Sequence, residues 1–599
     1  MPGPAILTGQ AVGETIPAQT PHAVSVSLPT WRSNVGYEEG EEWVMSKMKT
    51  GYPRFFIHKE IEKFALAIHE QFGSPSEKVM LFPSQCIALR CSTFINEQIL
   101  HLNKGAVRII ALISDPEKET QDMKCVCPQI FAVFFPSEHW STAKAFWQHS
   151  GDGVSSRRAE YCHGLFKEGL LVIKISTDDP QSLKKGPRRY RKSITQDSAS
   201  NGQSDIVESQ EDLPEDKAGG LFIEERFGRN LQLKFASNAK LAIKKRIAGS
   251  LTADVALEDA LKVGKDEERT RQVPGFSEDD IYLYPTGMSS IFNTHRSLMV
   301  ARGHLKSISY GFPYVDTLKI LEKFGPGCLF YGRGSIEDLD ALEHKLESGE
   351  KFLSLFCEFP GNPLLASPDL TRIRCLADKY GFVVVVDETI GNFLNVNVLP
   401  YADVVVSSLT KVFSGDSNVM GGSAILNPNG PYYEQLKRTW SHEFQDNYWV
   451  EDAIFMERNS RDFVPRIERI NINAEAICDV LRLDPRVKQV YYPKHNPTQP
   501  FYDICRTTNG GYGGLLSATF FSREDAVAFF DNLATAKGPS LGTNFTLSSP
   551  YVILAHYQEL DWAESFGVER DLLRFSVGLE DTAALIETFR QALAAIPQR

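Results

Sequence analysis

A chain of 599 residues, 42% hydrophobic and 23% charged, is too long for one ordinary core and predicts two or three globular domains. Its formal net charge of -12 argues against a nucleic-acid surface as the main function. No apolar run approaches the ~18 residues that span a bilayer, so no membrane partner is expected.

The first basic residue is Arg32, which suits neither a secretory signal nor an Arg-rich transit peptide, and a cytoplasmic setting is the expectation. The 10 cysteines show no staple-like spacing. Cys125 and Cys127 could begin a metal site, but their neighbours Cys162 and His163 complete no zinc pattern, so thiols and no metal are expected.

Residues 1–175 read as an N-terminal extension domain. Ile57, Ile61, Phe64, Ala65, Ile68 and Phe72 follow helical spacing, and Gly73 with Pro75 ends that helix. Strand-like stretches at 79–82, 107–113 and 130–135 complete an α/β pattern. KVMLFPSQ at 78–85 echoes DIYLYPTG at 280–287; a decayed duplication and the ordinary likeness of strand–turn–helix segments both account for it. Residues 176–219 run from Lys184, Lys185, Arg188, Arg189, Arg191 and Lys192 to Glu208, Glu211, Asp212, Glu215 and Asp216. With so little apolar surface to offset ordering entropy, this segment reads as a disordered linker. Its basic half admits a nuclear address or a kinase site at Ser193 as alternatives to a solvated tether.

From 220 to 470 strands alternate with helices. Apolar runs at 352–356, 382–386 and 404–406, with a helix at 369–380, suit a parallel sheet covered on both faces. Residues 471–599 read as a smaller α+β domain, with strands near 487–492 and 510–521, an Arg-bearing strand, and a closing helix at 582–595.

Four segments carry candidate chemistry. ADVVVSSLTK at 402–411 runs a buried strand into Ser408, Thr410 and Lys411; a desolvated lysine amine is a Schiff-base candidate, and the hydroxyls suit a phosphate. FVVVVD at 382–387 places Asp387 at a strand end, where a protonated pyridine nitrogen could offset the cost of its burial. LYPTGMSSIF at 283–292 turns at Gly287 and Met288 into a helix whose free N–H groups face an anion. LLRFSVGLED at 572–581 sets Arg574 in an apolar strand, where a substrate carboxylate would fit a bidentate guanidinium. A surface lysine, a helix cap, an ordinary turn and a structural salt bridge are the plain alternatives for the four taken singly.

Their order and spacing resemble the Cys/Met-metabolism group of fold-type I pyridoxal-5'-phosphate (PLP) enzymes over roughly 220–599. The extension, with TWRSNVGYEEGEEWV and GYPRFFIH, is similar to that of the fungal cystathionine γ-synthases. The resemblance implies an α/β fold: a mostly parallel large domain, a small α+β C-terminal domain and an additional N-terminal α/β domain. It implies PLP on Lys411, with the phosphate held by Gly287, Met288, Ser408 and Thr410. Asp387 would pair with the ring nitrogen. Tyr310, in SYGFPY, would stack on the ring and help deprotonate the incoming amine. Asn362 would lie near the ring oxygen, Arg574 with Ser540 would take the substrate carboxylate, and Arg226 would reach the phosphate of a neighbouring subunit in a homo-oligomer, tetramer or dimer.

The implied reaction is γ-replacement between an O-acyl-L-homoserine and L-cysteine, in transsulfuration and methionine biosynthesis. O-acylhomoserine sulfhydrylase and cystathionine γ- or β-lyase are rivals, as is a non-catalytic regulatory protein on the same fold. The chain departs from the family at Glu224, where a tyrosine precedes that arginine, and at Gly542-Thr543, where Gly-Gly follows Ser-Leu. Leu541 stands where β-lyases carry tryptophan, which favours synthesis over β-elimination. No cofactor-type motif precedes the linker, so the extension is expected to supply no catalytic group.

Overall fold

The computed structural model describes residues 5–53, 55–98, 106–174, 235–262 and 271–597. The expected linker at 176–219, Glu224 and Arg226 lie outside them.

Residues 5–53 and 55–58 form a strap that lies largely on the C-terminal half of the chain rather than within the N-terminal domain. Helix α1 (Trp31–Glu38) starts at Thr30, whose side chain accepts from the Ser33 N–H. Trp31 N donates to Asp531 Oδ1 at 2.7 Å, and its ring meets Phe530 edge-on at 6.2 Å. Val24 N donates to Ser417 O and Leu28 N to Lys537 O, at 2.8 and 2.9 Å. Val26, Leu28, Val44 and Met48 pack with Leu554, each burial contributing roughly 1.5–3 kcal/mol. Gly538 admits this crossing, since a Cβ there would lie 2.3 Å from Val26 O.

The N-terminal domain begins with α2 (Lys59–Phe72), which buries Ile61, Phe64 and Ile68 and stops at Gly73 as its spacing implies. Strands β1 (Glu77–Phe82), β2 (Arg108–Ser114), β3 (Gln129–Pro136) and β4 (Leu171–Ile173) form a sheet in the order β1-β3-β2-β4, every pair antiparallel. Helix α3 (Gln85–Gln98) follows β1, and α4 (Ser156–Lys167) packs beside α2. Phe82, Phe135 and Phe146 share one apolar cluster with Phe292 and Phe356 of the following domain. The N-terminal domain is therefore docked by a common core, not tethered.

Helix α5 (Ala236–Ala248) leads into the large sheet, built of β5 (Ile281–Tyr284), β6 (Ser307–Tyr310), β7 (Cys328–Tyr331), β8 (Ser354–Glu358), β9 (Val383–Asp387), β10 (Val404–Ser408) and β11 (Gly422–Leu426). Their order is β5-β11-β10-β9-β8-β6-β7, parallel except where β11 pairs antiparallel with β10 and β5. Two helices close against this sheet, α6 (Gly287–Arg302) on β10 and β11 and α7 (Leu370–Tyr380) on β9. Val384 and Val386 face one core cluster, while Val383 and Val385 face the other. Continuous valine runs follow from burial on both faces. Helix α8 (Val450–Asn459) packs on α5 through the buried Arg246–Glu457 pair at 3.0 Å.

The 21-residue α9 (Phe463–Leu483) crosses the expected boundary at 470 into the C-terminal domain. There β12 (Val487–Tyr491), β13 (Leu515–Phe520), β14 (Ala536–Lys537), β15 (Leu547–Pro550) and β16 (Leu573–Ser576) lie in the order β12-β13-β16-β15-β14, with α10 (Thr582–Ala594) packed on α9. Among the described residues no helix is long and apolar enough to cross a membrane.

Candidate active site

The ends of β5, β8, β9 and β10 converge on one side of the large sheet, beneath a cavity of about 190 Å³. Thr286 caps α6 by accepting from Ser289 N at 2.9 Å. Gly287 then lets the helix start against β10: a Cβ there would fall 2.6 Å from Ser408 Cβ. The first-turn N–H groups of α6 have no intrahelical partners and lie at a positive dipole end, a cradle for phosphate. Gly287, Met288, Ser408 and Thr410 all line the cavity. Thr410 Oγ1 also donates to Gly421 O at 3.3 Å and accepts from Gly421 N at 3.1 Å, which fixes the turn carrying Lys411.

Asp387 closes β9 and accepts from Thr389 N at 2.9 Å. Beside it in register on β8 is Glu358, which accepts from the backbone N–H groups of Tyr314 and Asn362. Burial pushes both carboxyls above their ordinary range, and Asp387 raises Glu358 further. Two adjacent buried acids make a place where a cationic ring nitrogen would be stabilised.

Lys411 is 8% exposed, and its Nζ donates to Tyr52 Oη at 2.9 Å and to Ser540 Oγ at 3.5 Å. Arg574, on β16, donates to Asn362 Oδ1 at 3.3 Å, Pro539 O at 3.2 Å and Ser540 O at 3.1 Å. Among the described residues it forms no ion pair. Burial pushes its guanidinium down, and Tyr551, Tyr52 and Tyr314 partly offset this. A cation with neutral partners at a cavity wall is suited to an arriving carboxylate.

The structure thus gathers Lys411, Asp387, Ser408, Thr410, Gly287, Met288, Asn362 and Arg574 around one space, with Ser540 in reach of Lys411. It does not bring Tyr310 there. Tyr310 ends β6 in register with Cys357, at the same edge of the sheet, but its hydroxyl is turned to Ser335 O, to which it donates at 2.7 Å, and burial raises its phenol. Tyr314, four residues on, lines the cavity instead.

The extension, from which no catalytic group is expected, also reaches the cavity. Tyr52, His22 and His58 all face the cavity. The two imidazoles stack at 5.7 Å, and His22 Nδ1 lies 2.9 Å from Ser156 Oγ. Burial pushes both imidazoles down, His58 to about 4. Thr389, whose Oγ1 accepts from Ser408 N at 2.8 Å, and Glu358 were also missed. Glu358 has the signal that revealed Asp387, an acid ending an apolar strand.

Residues 277–594 match the family model described as Cys/Met metabolism PLP-dependent enzyme. Residues 60–155 match that of the fungal trans-sulfuration enzyme N-terminal domain. A cystathionine gamma-synthase of Neurospora crassa is 54% identical, covering 97% of this chain and 98% of its own. A cystathionine gamma-synthase-like enzyme of Amanita muscaria is 41% identical over 98% of this chain and 96% of its own. A cystathionine gamma-synthase of Saccharomyces cerevisiae is 39% identical over 98% and 99%.

Proposed function

Because the chain belongs to the Cys/Met metabolism PLP-dependent enzyme family, we propose that it joins an O-acyl-L-homoserine and L-cysteine into L-cystathionine, releasing the free acid. PLP is its cofactor, and the site fits it: Gly287 opens a cradle at the α6 N-terminus, Lys411 faces it, and Asp387 waits in a buried acid pair. When bound, PLP supplies an electron sink that acidifies the substrate carbons next to the amine.

The chain's own residues do the rest. The N–H groups of Gly287 and Met288, with Ser408 and Thr410, would hold the phosphate, and Asp387 would keep the ring nitrogen protonated. Arg574, steadied by Ser540 and Asn362, takes the α-carboxylate and so aims the Cα and Cβ protons at Lys411 Nζ. That amine carries protons off and on while the acyl group leaves Cγ.

The outcome depends on whether a thiol or water reaches the activated carbon. What carries this reading is that Leu541, Val24 and Leu554 are all among the residues that line the cavity. Such walls exclude water and favour capture by a held thiol. We further propose a cytoplasmic homo-oligomer, tetramer or dimer, with Arg226 reaching a partner's phosphate site.

The test gives the enzyme acetyl-, succinyl- or phosphohomoserine with cysteine or sulfide, and separately cystathionine alone, and identifies products by mass. Cystathionine should accumulate with cysteine. Rapid breakdown of cystathionine to a keto acid would reverse the proposed direction, and preference for sulfide would change the acceptor.

A further inference from the structure

GYPRFFIH, at 51–58 in the strap, brings a phenol to the reacting amine across 359 residues of sequence. Tyr52 Oη accepts from Lys411 Nζ at 2.9 Å, and Nζ lies 4.7 Å from the centre of the Tyr52 ring. The phenol is held, not merely adjacent. Phe55 N and Phe56 N both donate to Tyr52 O, at 2.9 and 3.0 Å, which closes the turn. The Tyr52 and Phe55 rings pack at 6.0 Å, and Thr50 Oγ1 donates to Ala23 O at 2.9 Å inside the strap. Arg574, the proposed carboxylate site, feels the same phenol. A substrate bound between Arg574 and Lys411 would therefore present its amine to Tyr52. The tyrosine expected for this task, Tyr310, is turned away to Ser335; Tyr314 lines the cavity in its place, and Tyr52 is the phenol that meets Lys411 Nζ at 2.9 Å.

We propose that Tyr52 is a catalytic residue supplied by the N-terminal strap: its phenol relays the proton that the substrate ammonium must lose to Lys411 Nζ. The substrate N–H bond breaks as its proton passes to Oη. With Nζ neutral the 2.9 Å contact reverses so that the phenol donates: its own O–H bond breaks, one N–H bond forms at Nζ, and the phenol, having taken the substrate proton, ends neutral. This rests on the assignment of Lys411 in the function proposed above.

The test uses the full-length, PLP-loaded enzyme. Tyr52→Phe keeps the ring against Phe55 and removes one oxygen. The protonated cofactor band near ~420 nm should then titrate with its midpoint displaced by about one pH unit. The first spectral change on adding an O-acylhomoserine without cysteine should slow by roughly 10²-fold.

Replacing Tyr52 by 3,5-difluorotyrosine keeps the oxygen and the packing while acidifying the phenol. It should displace the same midpoint, and it serves if the Phe variant does not fold. Asp387, Glu358 and Tyr314 face the cavity from the large domain, Tyr551 and Arg574 from the C-terminal domain, and His22 and His58 from the strap. All seven remain in both replacements, so a displaced midpoint reports the phenol. An unchanged midpoint with an unchanged first phase, in either replacement, overturns the proposal. Neither readout involves cysteine or product, so failure here is distinct from failure of the γ-replacement reading, which appears as wild-type enzyme forming no cystathionine.

Discussion

The strand ends beneath the cavity and the strap above it reach Lys411 by different physical means. Below, Asp387 and Ser408 terminate strands whose valines are 0–1% exposed and whose backbones are paired on both sides. Above, Tyr52 rides on a segment held by single hydrogen bonds, a tryptophan anchor and a small apolar cluster, and His58 caps α2 where that segment joins the N-terminal domain. Local opening costs least where few buried contacts must break, so the floor is the rigid partner and the strap the one that yields first. Cofactor binding should therefore depend on the floor, while proton handling and exclusion of water should depend on both.

The largest effect should come from the floor. Lys411→Ala removes the amine that carries the cofactor and moves protons, and should abolish turnover together with the ~420 nm band. Retention of both would remove Lys411 from the mechanism. A smaller effect follows at the wall: Arg574→Ala should raise KM for the homoserine ester by about tenfold or more, from loss of a charge-assisted pair worth roughly 1.5–3 kcal/mol. The band should persist in that variant. An unchanged KM would mean that the carboxylate binds elsewhere.

The floor was readable in the sequence because charge at the end of a continuous apolar run is costly and therefore conspicuous. Lys411, Asp387 and Arg574 all stand so, and the valine runs announce a sheet buried on both faces. Tyr310 and Tyr314 show where such reading stops. They are two tyrosines on one short segment, and which enters the cavity is decided by the path the chain takes after β6. The strap was legible only as a likeness, in TWRSNVGYEEGEEWV and GYPRFFIH, and its path over the C-terminal domain was not. Its residues follow neither helical nor strand periodicity, because they fit a surface made by Ser417, Lys537 and Leu554, hundreds of residues away. Its one local signal is aromatic density, with Trp43, Tyr52, Phe55 and Phe56 in a segment of little regular structure. The N-terminal domain was legible as α/β, but its docking was not, since Phe82 and Phe135 read equally well as an internal core.

The smallest expected effect loosens the strap without touching the floor. His58 and His22 are stacked, and burial holds both below the free imidazole value, His58 at about 4. A released strap would titrate near ~6.5. The packed state then binds fewer protons than the released state between those values, so docking is fully favoured above about pH 6.5 and is weakened as the pH falls toward 4. Glu60 and Glu160 oppose the shift while Arg157 adds to it, and His58 is partly exposed. The loss at about pH 5 is therefore on the order of 1 kcal/mol. Hydrogen exchange of the 51–58 amides should be several-fold faster at about pH 5 than at about pH 7.5 after correction for intrinsic rates, while amides of β9 and β10 stay protected. His58→Gln, which keeps a polar side chain without the titration, should flatten much of that dependence and leave the remainder to His22. Equal corrected exchange at both pH values would show that the imidazole pair does not set how firmly the strap is held.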